Sequence, residues 1–289
     1  MHTFTVDAPD VSRAWLEACS RLSEMPGKRA FHTVVRIANP LQENPHLRAE
    51  LDRLRSARTK PPLYPIDTVV NTLFPAQLAA TCTTHDELTD RYRAFYPRLR
   101  EVRRNAHGTY FGRLIAYPGT AEKPEPVDQL ARVIRRLDKL RSSAKWSAVY
   151  EAGTAHVTDE DKAWEEEPPQ TTAETEAVIR AAALDTQTLD FPCLSHCSFQ
   201  LDSATDTVHL AAYYRSHYMF DRAYGNYLAL GHLCAWVARH AQLTPGTLTV
   251  MAGCARLDCT KSELGALQHS LTTPLFVLAP DPAQRAADA

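Results

Sequence analysis

Residues 190–227 read DFPCLSHCSFQLDSATDTVHLAAYYRSHYMFDRAYGNY. Cys193 follows Pro192 where a loop turns into a strand. Residues 199–214 suggest two strands joined by a turn at Ser203–Asp206. Arg215-Ser216 closes the second strand, and Asn226 stands eleven residues beyond Arg215. Asn226 opens 222–241, a helix apolar on most faces and therefore expected to be buried. The residue types describe a nucleophile, an anion clamp and a two-sided amide. A thiolate is the nucleophilic form of cysteine, and a nearby arginine favours it. Arginine with a serine hydroxyl suits phosphate. An asparagine amide offers an acceptor and two donors, which match the edge of a pyrimidine.

Outward from this block, strands are predicted at 31–38 and 247–252, with another at 274–279. Helices are predicted over 10–24, 45–56, 85–104 and 127–141, with a break or kink at Pro97 in the third. In 66–74 (IDTVVNTLF), Asp67 and Asn71 are four apart and share a helix face. His107–Arg113 reads as a glycine-bracketed loop. Residues 158–174 cluster acids and prolines and read as a solvated, flexible loop. Strands and long helices without regular βαβ alternation indicate α+β. A single domain over 1–280 is expected, followed by a tail at 281–289.

Composition excludes several classes. The chain has 289 residues, 44% hydrophobic and 23% charged, enough apolar material for a core. Its net charge of −2 argues against a nucleic-acid partner or a membrane surface. No apolar stretch approaches the ~18 residues of a membrane span, and the first residues do not read as a signal peptide. Seven cysteines at irregular spacing do not form a disulfide framework, which favours a reduced, cytoplasmic setting. The pairs Cys193/Cys197 and Cys254/Cys259 lack zinc-knuckle spacing, so no metal is expected.

With these residues in view, the chain resembles the thymidylate synthase superfamily over roughly residues 30–260. Pro192-Cys193 six residues before Phe199, Arg215-Ser216, and Asn226 eleven residues on reproduce the family's spacing. Asp128-Gln129-Leu130, Ser147-Ala148 and His107–Arg113 resemble further family segments. The wording Pro-Cys-Leu-Ser-His and Ala-Tyr-Gly-Asn is closer to the CMP/dCMP-hydroxymethylase-like branch than to housekeeping synthases.

The resemblance implies one large mixed sheet packed by helices and a homodimer formed through that sheet. It implies attack of Cys193 on C6 of a pyrimidine nucleoside monophosphate. C5 then takes a one-carbon unit from 5,10-methylene-tetrahydrofolate, as hydroxymethyl in preference to methyl. Arg215 and Ser216 would hold the phosphate, and Asn226 the base. Conventional thymidylate synthesis on dUMP and a non-catalytic nucleotide-binding role are the alternatives.

Departures from the family pattern assign further residues. Leu194 follows the cysteine where the synthases have histidine. A register pairing Ser195-His196 with the Cys-His motif is the alternative; the Cys193 register keeps both Pro192 and Phe199. Asn71 stands where the family has its catalytic glutamate, with Asp67 one turn earlier. Tyr110 lies beside Phe111, which takes the place of the loop tyrosine. Tyr218 occupies the folate-binding aspartate position, with Asp221 as its replacement and His196 nearby as a further contact. Asp258 replaces a sugar-gripping tyrosine, and its carboxylate could accept from ribose hydroxyls. Lys145 or Arg141 would substitute for the inter-subunit arginine pair. The family's C-terminal closing segment is not found in the 289 residues. His217, flanking the site, reads as structural.

Overall fold

A computed structural model describes residues 2–60, 62–101, 105, 108–119, 123–141, 150–154 and 193–272. The fold is α+β, with one mixed sheet of six strands. The N-terminal elements are β1 (Thr5–Asp10), α1 (Val11–Ser23), β2 (Arg29–Asn39), α2 (Pro45–Ser56), α3 (Ile66–Leu73), α4 (Ala76–Ala79) and α5 (His85–Glu101). Then come α6 (Tyr110–Ile115), α7 (Gln129–Arg141), β3 (Glu151–Gly153), β4 (Leu194–Asp202) and β5 (Thr207–Tyr218). A π-helical turn (Met219–Ala223) leads into α8 (Tyr224–His240), followed by β6 (Thr244–Arg256) and α9 (Lys261–Thr272).

The sheet order is β1-β2-β6-β5-β4-β3. β1/β2 and β5/β6 are parallel; β2/β6, β4/β5 and β3/β4 are antiparallel. Along each strand successive side chains take opposite faces. Val35, Ile37, Leu248, Val250, Leu210, Ala212, Tyr214, Cys197 and Phe199 are buried, under α1 and α8. On the alternate face Arg36, Met251, Ala211, His196 and Gln200 are exposed.

Local chemistry explains the element ends. Asp10 caps α1 by accepting from the Arg13 N–H, and Asn44 caps α2 by accepting from the His46 and Leu47 N–H groups, with Pro45 at the first helical position. Helix α5 continues through Pro97, so of the break or kink expected there the break does not occur. The predicted loop at 107–113 also needs correction. Thr109 accepts from the Gly112 N–H, and that cap starts α6 at Tyr110. Strand β1 and helix α9 were not anticipated from the sequence. The 158–174 segment, the predicted strand 274–279, the tail and Lys145 lie outside the described residues.

Two contacts bring the helices close enough to frame a site. A Cβ on Gly231 of α8 would sit 2.3 Å from the Pro40 carbonyl oxygen, and one on Gly225 would sit 2.8 Å from Val69 of α3. The Asp128-Gln129 pair is architectural. Asp128 accepts from the Ala131 N–H at the start of α7 and from His85 Nε2 at 2.9 Å. That proton assignment follows because Trp236 Nε1–H donates to His85 Nδ1. Gln129 bonds both backbone groups of Gly153, at 2.8 and 2.9 Å, and so ties β3 to α7.

Candidate functional site

A cavity of about 480 Å³ opens at the end of the sheet where β4 begins and where β5 and β6 end. Cys193, half-buried at the mouth of β4, is on its wall. Its carbonyl accepts from the Arg215 N–H at 2.8 Å, which pins the start of β4 to β5. Its own N–H donates to the Tyr110 hydroxyl oxygen at 3.1 Å. Burial raises the Tyr110 phenol above its ordinary pKa, so it stays protonated and can donate into the cavity. The first turn of α6 therefore sets a phenol beside the thiol.

The end of β5 supplies Tyr214, Ser216, His217 and Tyr218. His217 stacks on Tyr214, with ring centroids 4.2 Å apart and planes 4° apart. Burial lowers its pKa to about 3, so it is neutral at physiological pH. Asn226 Nδ2 lies 3.1 Å from His217 Nε2. A neutral ring accepting there carries its proton on Nδ1. His217 thus holds the buried Asn226 amide at the cavity wall.

The π-helical turn contributes Asp221 and Arg222. Two groups fix this turn from behind. Asp258 accepts from the Phe220 N–H at 2.7 Å and from the Asp221 N–H at 3.0 Å. Arg55, 1% exposed, donates to the carbonyls of Tyr64, Phe220 and Asp221. Tyr64 and Asp221 are on the wall, so one buried guanidinium ties two sides of the cavity together. Asp221 Oδ2 pairs with Arg222 Nε at 3.0 Å, and Oδ1 is buried without a hydrogen-bond partner.

The structure gathers Cys193, Tyr110, Ser216, Asn226, Tyr218 and Asp221 around this cavity. Arg215, Asn71, Asp258 and His196 are not on its described wall. Asn71 Nδ2 donates to the Asp67 carbonyl of its own helix at 2.8 Å. Asp67 is committed to Arg48, at 2.6 Å. The positions of α3 that face the cavity are Thr68, Val69 and Thr72. Asp258 spends both oxygens on backbone N–H groups. His196 is on the exposed sheet face, paired with Glu151.

Residues the sequence reading missed include Arg222, Arg256, Thr68, Thr72 and Asn105. Arg256 could have been nominated, because it stands in the same three-residue segment as Asp258. The threonines carry no signal beyond their helix spacing. Among the described residues, no group of three or more His, Cys, Asp or Glu could hold a metal ion. No helix there is long and apolar enough to cross a membrane. No protein-family model matches the chain, and no curated protein matches it.

Proposed function

We propose that this chain transfers a one-carbon unit, as hydroxymethyl, to C5 of a pyrimidine nucleoside monophosphate through a covalent Cys193–C6 adduct, within a thymidylate-synthase-like fold. One observation carries the reading. A thiol, a protonated phenol, a serine hydroxyl and an oriented amide, each chosen from sequence, border one cavity of about 480 Å³. That is the size of a small-ligand site.

The chemistry follows from the residues. The Cys193 thiolate adds to C6, and the displaced electron pair makes C5 nucleophilic. Asn226 orients the base edge, and Tyr110 offers a hydroxyl proton beside the reacting carbons. Loss of the C5 proton and expulsion of the thiolate restore the aromatic ring. A hydroxymethyl product takes its oxygen from water and needs no hydride, so the step balances without a reductant. Methylene-tetrahydrofolate supplies the carbon when bound. The Asp221 carboxylate, whose Oδ1 makes no hydrogen bond, suits the donor-rich edge of a pterin, and the exposed Tyr218 ring suits its face.

A second reading, a nucleotide-binding protein without turnover, is favoured by α3. That wall presents threonines and valine and no carboxylate, where a proton-shuttling acid would be expected. We also propose a homodimer through the exposed sheet face, supported by Met251, 40% exposed.

The experiment is C5 tritium release from CMP, dCMP, UMP and dUMP, with and without methylene-tetrahydrofolate, with products identified by mass. Release with folate-dependent gain of a hydroxymethyl group is expected. Binding of a nucleotide with no release from any of the four would select the second reading.

A further inference from the structure

We infer that the anion subsite of this cavity is built on Arg256, assisted by Arg222 and Ser216, and that it takes the phosphate of the ligand. The inference rests on the nucleotide reading above and differs from what the Arg215-Ser216 pair implies. Arg215 and Ser216 are neighbours in sequence, but only one of them lines the cavity. Tyr214 and Ser216 are on the cavity wall and Arg215 is not. The hydroxyl of the pair therefore reaches the cavity and the guanidinium does not.

Two other guanidiniums do reach it. The described wall carries Arg222, Arg256 and Asp221 as its charged side chains, which leaves it one net positive charge. Asp221 engages Arg222 through Nε alone, at 3.0 Å. Among the described residues Arg256 has no carboxylate partner. Its Nε lies 3.5 Å from Cys254 Sγ, and its guanidinium lies 5.7 Å from the centre of the Tyr218 ring. With Nε turned to the Cys254 sulfur, the terminal N–H groups of the guanidinium are the ones placed to take an anion. Nothing among the described residues neutralises it, so it is the strongest attractor for a phosphate in the cavity.

Placement supports the same assignment. β4 and β6 flank β5, and Arg256 is paired with Tyr218 while the Cys193 carbonyl is bonded to Arg215. Strand spacing and rise put the two backbones roughly 14 Å apart. A base at Cys193 and a phosphate at the Arg256 guanidinium fit along that line.

The test uses calorimetric titration of the full chain with CMP, UMP, cytidine and uridine. It compares Arg256→Gln, Arg222→Gln and Arg215→Gln with Arg36→Gln, an exposed control on the far face. Arg256→Gln is expected to weaken both nucleotides about 30-fold while changing nucleosides less than twofold. Arg222→Gln should show a smaller loss with the same selectivity, and Arg36→Gln none. Circular dichroism checks that each variant is folded. Full nucleotide affinity in Arg256→Gln, or a larger loss in Arg215→Gln, overturns the assignment. So does Arg256-dependent binding of a pteroylglutamate with nucleotide binding intact.

Inorganic phosphate separates the two layers of the argument. If the parent binds none of the four pyrimidines but phosphate raises its melting temperature in an Arg256-dependent way, the subsite stands and the nucleotide reading falls. If phosphate acts equally on Arg256→Gln, the subsite falls as well.

Discussion

The two faces of the sheet use the same strands for different ends. Under α1 and α8 the side chains are aliphatic and aromatic, and the layer ends in a polar cavity. On the other face charged and polar groups surround an exposed hydrophobic side chain, Met251. The same comparison runs through single strands. On β5, Tyr214 faces the buried side and its neighbour Arg215 does not. On β4, Cys197 is buried while His196 is exposed and bound to Glu151. Adjacent residues in a sequence motif are thus neighbours in the chain without being neighbours in a site.

The largest expected effect separates the faces directly. Cys193→Ala should abolish C5 tritium release, whereas Glu151→Gln, which breaks the His196 pairing, should leave it within threefold. Equal losses would mean that the active face has been misassigned, and full activity in Cys193→Ala would remove the nucleophile.

Next is the device that builds the cavity. Arg55 is buried against carbonyls with no carboxylate at hydrogen-bond distance; the nearest, on Asp221, is 3.8 Å away. Arg55→Met leaves the carbonyls of Tyr64, Phe220 and Asp221 unsatisfied, at a cost of about 3–5 kcal/mol. The melting temperature should fall by roughly 6–15 °C. Nucleotide affinity should fall too, because both tied walls loosen. A shift under 2 °C would show that water replaces the guanidinium freely.

How far the sequence carried this picture depends on the kind of physics involved. The helix predicted over 45–56 is found at Pro45–Ser56, because Asn44 and Pro45 signal its start locally. The strand pair around Ser203–Asp206 was legible from alternation. Cys193, Ser216 and Asn226 were legible from spacing and do share the cavity. Asn71 does lie on a helix, where it would share a face with Asp67, but its amide bonds back to the Asp67 carbonyl, a choice that local sequence does not display. Asp258 offered a plausible sugar contact, yet the π-helical turn needs its carboxylate for two N–H groups. Arg55 gave no signal, since its partners are backbone groups as far as 166 residues away.

A smaller effect tests the buried face by pH. His217 titrates at about 3 in the fold and at about 6.5 in an unfolded chain. Below 6.5 the unfolded chain binds the extra proton, so stability is full above that pH and falls as pH drops towards 3. Between pH 6.5 and 5 the loss attributable to His217 is about 2 kcal/mol. His232 and His240, also lowered by burial, add to the same slope. Urea unfolding of His217→Gln should show a shallower dependence over that interval. An unchanged slope would mean that the ring is charged or solvated in the fold.

The smallest effect on stability belongs to the exposed face. Met251 pairs with Val34 of β2 and projects from the sheet, 40% exposed. An apolar patch on a strand face gains little from water and more from a second copy. Met251→Lys should change unfolding free energy by less than about 0.5 kcal/mol, because the side chain is not part of the core. In a dimer formed through this face, however, a lysine at 251 would be desolvated in the interface. Sedimentation velocity should then show the parent as a dimer and Met251→Lys as a monomer with unchanged circular dichroism. A parent that sediments as a monomer at all concentrations would leave the exposed face without a self-association role, and a dimeric Met251→Lys would move the interface elsewhere.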